Sequence, residues 1–301
     1  MPKAILLVHA GAGQVPENTP KDEEADCKGA LQSALAAGYK ILHNGGNSLD
    51  AIEAAIKIME DFPLFNAGKG AIIANSGQCE LDAGIMEGKN KKAGAVANIT
   101  IAKNPISVAR AVLENTEYVL LSNIGANKFA QEYDLEIVEP SYFYTPRSLE
   151  KLRQAKEDEA NIMPTKLGTV GAVALDKEGN LAAGTSTGGS RSNKRFGRIG
   201  DSAIIGAGNY ADNKTCAVSC TGYGEIFIRN VIAYDIAALM EYKGLTLEES
   251  ANKAIHSKLP KDSGGLIALD KDGNYAMPYN TAGMRRGYIT TSGESETFIY
   301  E

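Results

Sequence analysis

The residues able to do chemistry gather in the second half of the chain, at Gly168-Thr169 and at the three hydroxyls Thr185, Ser186 and Thr187. A threonine inside a chain is a weak nucleophile, because no base stands beside its hydroxyl. A threonine at a chain N-terminus carries its own base. Its α-amine, with an unperturbed pKa of about 7.7–8.0, can take the hydroxyl proton. Thr169 reaches that state only when the Gly168–Thr169 bond is cut. Glycine on the acyl side suits such a cut, since it tolerates a strained backbone and leaves its carbonyl open to attack by the Thr169 hydroxyl. The ordinary alternative is a hairpin with β-favouring threonines, and Gly-Thr-Val alone does not exclude it.

A second group lies in Gly197-Arg198-Ile199-Gly200-Asp201. Arginine grips a carboxylate with two parallel hydrogen bonds, and Asp201 can take an ammonium. Arg198 and Asp201 together fit the two charged ends of an L-amino acid. The surrounding segment 188–201 is glycine-rich and basic, and otherwise reads as a solvated face. His9-Ala10-Gly11-Ala12-Gly13 follows an apolar run and invites a dinucleotide-binding reading. The spacing fails, because a glycine is needed at position 16 and Pro16 stands there. These glycines read instead as a tight loop that lets the backbone pass close to the site.

The elements that must position these groups alternate between strand and helix. Val170, Ala172 and Ala174 line one face of a strand and Val173 and Leu175 the other, as in a strand buried on both faces. Asp176–Asn180 is a turn, and 181–185 returns beside the first strand. Lys3–His9 reads as a buried strand. Helical spacing runs over 22–43, and a second helix, capped by Ser48, follows Asn44-Gly45-Gly46-Asn47. A hairpin is expected from 71–74 and 79–86, a strand over 93–101, a helix from Pro105 and a short strand over 118–121 followed by a helix over 124–133. Residues 148–160 read as a charged surface helix and 161–168 as a mobile linker, which cleavage before Thr169 requires. A strand over 217–221 opens a helix over 226–242, where N–H groups at the helix start favour anions. A helix over 247–256 follows. Gly265–Asn274 echoes the earlier hairpin, and the chain closes as a loop over 280–284 and an edge strand over 297–300.

The pieces Gly168–Asp176, Thr185–Gly189, Gly197–Ser202, Ser219–Glu225, Leu64–Gly70 and His9–Gly13 occur in one order across nearly the whole chain. In these the sequence resembles the plant-type asparaginase / isoaspartyl peptidase family of N-terminal-nucleophile hydrolases. The resemblance implies a four-layer αββα sandwich, with 1–301 as a single domain cut into 1–168 and 169–301. It implies Thr169 as nucleophile, with Thr187 and Thr221 assisting it and Thr221 and Asn66 facing the oxyanion. The neutral amide of Asn66 suits that task, although sequence alone makes it a turn residue. By the same resemblance Arg198 and Asp201 hold the amino-acid end of the substrate, the backbone of Gly222 and Gly224 lines the pocket, and the Gly11 loop supports cleavage. Main-chain carbonyls of Met59, Glu60, Phe62, Phe65, Ala67 and Lys69 could wrap a structural sodium ion. The segment Gly189–Phe196 is about one residue longer than is usual in the family, which alters the outer rim of the pocket.

The implied activity is hydrolysis of L-asparagine and β-aspartyl peptides through a Thr169 acyl-enzyme, with no cofactor required. Two alternatives are a glycosylasparaginase and an uncleaved small-molecule binding protein, though no Walker pattern supports the latter. Composition agrees with a globular enzyme: 44% of the 301 residues are hydrophobic and 23% charged. A net charge of −6 gives no footprint for nucleic acid. The run Ala4–Val8 is too short for a signal core or a membrane span, so the expected compartment is the cytoplasm. Four scattered cysteines without a Cys-x-x-Cys are expected to be buried reduced thiols, and only three histidines argue against a histidine-rich zinc site. A homodimer of cleaved units is implied by the resemblance alone.

Overall fold

Apolar alternation builds the framework one strand at a time. The computed structural model describes residues 2–13, 20–157, 168–192 and 194–300. In chain order it contains β1 (Ile5–Gly13), α1 (Lys21–His43), α2 (Ser48–Glu60), β2 (Leu81–Glu87), β3 (Ala93–Ile99), α3 (Pro105–Asn115), β4 (Leu120–Ser122), α4 (Asn123–Glu132) and α5 (Pro146–Glu157). The second half holds β5 (Val170–Leu175), β6 (Leu181–Thr187), β7 (Asn209–Ala211), β8 (Cys216–Gly222), α6 (Gly224–Asn230), α7 (Ile232–Lys243), α8 (Leu247–Asn252), β9 (Gly264–Asp270), β10 (Tyr275–Ala276), β11 (Gly283–Ile289) and β12 (Ser295–Phe298).

Among the described residues the strands form an eight-stranded sheet, β12-β11-β1-β5-β6-β2-β3-β4, and a four-stranded sheet, β10-β9-β8-β7. Within them only β3 and β4 pair in parallel. Leu6 and Val8 of β1, with Val170, Ala172 and Ala174 of β5, pack under α1, α2 and α3 through Leu31, Leu35, Ile52, Ile56 and Val112. The opposite face, carrying Leu7, Val173, Leu175 and Ala183, packs on the small sheet, whose far side is covered by Ile232, Ile236, Leu247 and Ala251. The result is helices, large sheet, small sheet, helices. Both faces of β1 and β5 are therefore dry, which is why their sequences run apolar without a break.

The β5–β6 hairpin is pinned to the helical layer at its turn. Asp176 Oδ1 accepts the N–H groups of Glu178 and Asn180, and its Oδ2 accepts Ser48 N–H at the start of α2. That helix is capped by Asn47, whose side chain accepts Asp50 N–H, and not by Ser48. The opposite end of the hairpin carries Thr169 and Thr187.

Several local expectations differ from the structure. Residues 71–74 form no strand, because their backbone donors go to loops: Ile72 N–H to Asn66 Oδ1 and Ala74 N–H to the Gln78 carbonyl. The expected helix over 226–242 is two helices, broken at Val231 in the left-handed region (φ +49°). There the N–H groups of Ala233 and Tyr234 are given to the carbonyls of Ala207 and Gly206. The glycine loop after His9 belongs to β1, with a bulge between His9 and Ala12. The expected helix over 247–256 is α8 followed by a π-helical turn over Lys253–Lys258. The linker 161–168 lies outside the described residues except for Gly168.

Candidate active site

Thr169 stands at the mouth of β5, 7% exposed. Its hydroxyl donates to Thr187 Oγ1 at 3.1 Å, and Thr187 Oγ1 also accepts Gly189 N–H at 3.1 Å. The Thr169 carbonyl accepts from His9 Nδ1 at 3.0 Å. On the acyl side, Gly168 lies back to back with Gly11. A Cβ on either residue would fall 2.2 Å from the Cα of the other, and Gly11 has φ +103°. Only glycine satisfies both conditions, so the bulge in β1 is shaped around the Gly168–Thr169 bond. Thr221, at the end of β8, is 1% exposed and accepts Ala12 N–H at 3.4 Å, which places its hydroxyl beside the same bulge.

Arg198 and Asp201 meet over Gly224. A Cβ on Gly224 would lie 2.8 Å from Asp201 Oδ1 and 2.9 Å from Arg198 Nη2, so the missing side chain is the space between anion and cation. Gly222 faces elsewhere, with a Cβ position 2.3 Å from the Ser263 carbonyl. Arg198 gives Nε–H and Nη2–H to the two oxygens of Glu225, at 2.8 and 2.9 Å. This side-on fork leaves the Nη1–Nη2 edge as the face that a ligand carboxylate would use. Burial pushes the Asp201 carboxyl up to about 7; Arg198 pulls it down, and Glu225 and Asp82 push it further up. Its Oδ2 is buried without a hydrogen-bond partner. So one oxygen of this carboxyl faces the empty side of Gly224 and the other is left without a donor.

The loop that carries this pair is anchored from inside. Lys194, expected on a solvated face, is 3% exposed and donates to the Glu80 carbonyl at 2.9 Å. Asp82, fully buried in register with Thr187, accepts Asn98 N–H at 2.8 Å. Burial raises its pKa, with the Lys194 charge opposing. At the outer turn, Phe196 (φ +60°) is fully exposed.

Asn66 sits against the turn after Thr187. Its Nδ2 donates to the Gly189 carbonyl at 2.6 Å and its Oδ1 accepts Ile72 N–H at 3.0 Å. These two bonds hold the amide against the turn that follows Thr187. Upstream, the 59–69 segment carries the carbonyls expected to cradle a cation. Those of Met59, Phe62 and Ala67 accept N–H groups only at 3.2–3.4 Å. A Cβ on Gly68 would lie 2.4 Å from the Glu60 carbonyl, and one on Gly70 2.0 Å from the Phe65 carbonyl. Neutral carbonyl oxygens are the donor type that a hard monovalent cation takes, so the chemistry of this donor set is compatible with a sodium ion.

Comparison with known proteins gives the family. A protein-family model described as asparaginase matches residues 2–299. The chain belongs to the asparaginase family. Its members have the N-terminal-nucleophile hydrolase fold, and self-cleavage is general among them. The chain is 44% identical to the isoaspartyl peptidase of Escherichia coli (strain K12), over 100% of this chain and 97% of that one. It is 39% identical to the isoaspartyl peptidase/L-asparaginase of Bos taurus, over 93% and 91%. With the Mus musculus protein of the same name the identity is 41%, over 93% and 86%.

In this asparaginase-family chain the structure brings Gly168, Thr169, Thr187 and Gly11 into one cluster, with Thr221 at its edge. Arg198, Asp201 and Gly224 form a second cluster. Sequence reasoning gave no separate role to His9, Asp82, Lys194 or Glu225. The signal for Glu225 was present, an acidic residue at the start of α6, but its partner Arg198 is distant in sequence. Among the described residues no group of three or more His, Cys, Asp or Glu could hold a metal ion, and no helix is long and apolar enough to cross a membrane.

Proposed function

We propose that this chain is a self-activating hydrolase of L-asparagine and β-aspartyl peptides, releasing L-aspartate. The observation that carries the reading is Thr169: buried, hydrogen-bonded to Thr187, and preceded by a glycine pressed against Gly11. In the precursor the Thr169 hydroxyl attacks the Gly168 carbonyl and the peptide nitrogen leaves. The resulting ester is hydrolysed, giving chains 1–168 and 169–301, which remain one folded unit. The freed α-amine then takes the hydroxyl proton, and Oγ1 attacks the substrate side-chain carbonyl. Thr221 and the side-chain amide of Asn66 meet the oxyanion. Ammonia or an amine departs with the proton held on the α-amine, and water releases aspartate from the Thr169 ester. Arg198 takes the substrate α-carboxylate and Asp201 its ammonium, while Gly222 shapes the wall through β9. A sodium ion on the carbonyls of Met59, Glu60, Phe62, Phe65, Ala67 and Lys69 would stiffen the loop that presents Asn66.

The test is intact mass of the purified protein, fresh and after days, with aspartate release measured from L-asparagine, a β-aspartyl dipeptide and a sugar-linked asparagine. Two chains meeting at Gly168 and Thr169, and activity on the first two substrates, are expected. Preference for the sugar-linked substrate would favour the glycosylasparaginase alternative, and a stable single chain without activity would favour a binding protein. We extend the reading to a homodimer of cleaved units, checked by light scattering, and to a cytoplasmic location. The four free buried cysteines support a reducing compartment.

Gly11→Ala probes the cleavage step by itself. The added methyl cannot coexist with Gly168 in its present place, and the φ of Gly11 is costly for alanine, by about 1–3 kcal/mol. Self-cleavage is expected to slow by about tenfold or more, read as the half-time for loss of the full-length mass. Unchanged cleavage would show that the bulge does not shape the scissile bond.

A further inference from the structure

Behind Thr169, four strands meet in a line of buried polar side chains that the reaction above does not use. His9 of β1, Thr185 of β6 and Ser219 of β8 are each fully buried. His9 Nδ1 lies 3.0 Å from the Thr169 carbonyl, and His9 Nε2 lies 2.9 Å from Ser219 Oγ. Thr185 Oγ1 lies 2.8 Å from Ser219 Oγ. The fourth strand, β5, contributes a gap. A Cβ on Gly171 would fall 2.1 Å from Ser219 Oγ and 2.4 Å from His9 Nε2, so the line crosses β5 where a side chain is missing.

Donor and acceptor rules give this line one direction. A carbonyl only accepts, so His9 Nδ1 must carry a proton. Burial pushes the imidazole down to about 3, against the upward pull of the Thr169 carbonyl, so the ring is neutral and Nε2 bears a lone pair. That lone pair needs a donor, and the Ser219 hydroxyl supplies it in preference to the Gly184 carbonyl at 3.1 Å. Thr185 can then donate to Ser219, since its other acceptor, the Gly208 carbonyl at 3.2 Å, already receives Cys220 N–H. The order is Thr185 to Ser219 to His9 to the Thr169 carbonyl.

We propose that His9 is a positioning residue for the nucleophile: its Nδ1–H holds the Thr169 carbonyl, and Ser219 locks the ring in the tautomer that can do so. Fixing that carbonyl fixes the Thr169 backbone, and with it the direction of the hydroxyl during both self-cleavage and turnover. The inference rests on Thr169 being the nucleophile, as read above.

The test compares His9→Asn with His9→Gln in the full chain. The shorter amide places its N–H near the position of Nδ1, whereas the longer one reaches only the position of Nε2. His9→Asn is expected to cleave itself and turn over within about threefold of the parent. His9→Gln should lose about tenfold or more in the cleavage rate and in kcat, with KM for L-asparagine within about twofold. Ser219→Ala should slow the parent, but add nothing to His9→Asn, whose amide does not reach Ser219. A merely structural role, carried by the bond to Ser219, predicts the reverse ranking of the two His9 variants, and that ranking would overturn the proposal. Nitrogen-15 shifts of the three histidines give a second readout that needs no variant to fold. A neutral Nδ1–H form of His9 is expected, and an Nε2–H form would overturn the assignment. A parent chain that neither cuts itself nor hydrolyses either substrate sinks the nucleophile reading instead. An active parent with the wrong His9 ranking sinks only this inference.

Discussion

Thr169→Ala is expected to leave one uncut chain of 301 residues with aspartate release reduced at least about 10⁴-fold. The substitution removes an oxygen that is both part of the residue at the scissile bond and hydrogen-bonded to Thr187. It should not unfold the protein, because Thr169 precedes the ladder of β5, and Val170–Leu175 with its partners on β1 and β6 stays intact. Thr169→Ser separates hydroxyl chemistry from hydroxyl placement. Serine keeps the nucleophile but loses the methyl that restricts its rotamer, so the 3.1 Å bond to Thr187 is held less often. Slow cleavage and reduced kcat are expected, read by intact mass and a coupled ammonia assay. An alanine variant that still splits at Gly168 would remove Thr169 from the cleavage step. A serine variant that neither splits nor turns over would mean that the hydroxyl is not the attacking group.

The framework around this residue was legible in the sequence because a strand buried on both faces announces itself. Val170, Ala172 and Ala174 do pack toward the helices, and Val173 and Leu175 toward the small sheet. The turn at Asp176–Asn180 was equally readable, since aspartate and glycine each have a local reason to be there. Non-local partners were not readable. The need of Gly11 for glycine is visible in its motif, but the cause is Gly168, a residue far along the chain. β11 lies beside β1, yet Arg285 and Arg286 disguise it. Arg286 lays its guanidinium over the rings of Tyr279 and Phe298, at 4.8 and 5.0 Å, so a charged residue serves as an apolar cover. The break at Val231 had no sequence signal, because β-branched residues rarely take a left-handed conformation and the carbonyls that take the first donors of α7 come from 206–207. Arg198 could be singled out by its chemistry. That its side-on fork is filled by Glu225 needed the fold of α6 against the 197–201 turn.

The electrostatics of Asp201 lead to the second large effect, one that binding and stability should show with opposite signs. Burial lifts this carboxyl to about 7. Below that pH it is protonated and offers an ammonium only a neutral partner; above it, an anion. In the parent, KM for L-asparagine should therefore fall as pH rises through about 7. The limb in kcat should lie higher, near the α-amine pKa of about 8. Asp201→Asn is nearly isosteric and never charged. It should raise KM at pH 8 by roughly 10–150-fold, the worth of one charge-assisted hydrogen bond, and flatten KM between pH 6 and 8. Stability should move the other way. The folded pKa of Asp201 lies above its unfolded value, so the folded state holds a proton that the unfolded chain has released. The resulting penalty is absent below about pH 4, grows with pH, and is complete above about 7. The Asn variant escapes it, and its melting temperature should exceed that of the parent at pH 8 by several degrees, with the gain shrinking at pH 5. A residue kept only for packing would give neither the pH-dependent KM nor the pH-dependent gain. A variant with the parent's KM at pH 8 would remove Asp201 from substrate binding. A melting gain equal at pH 5 and pH 8 would show that the buried carboxyl is not the source of the penalty.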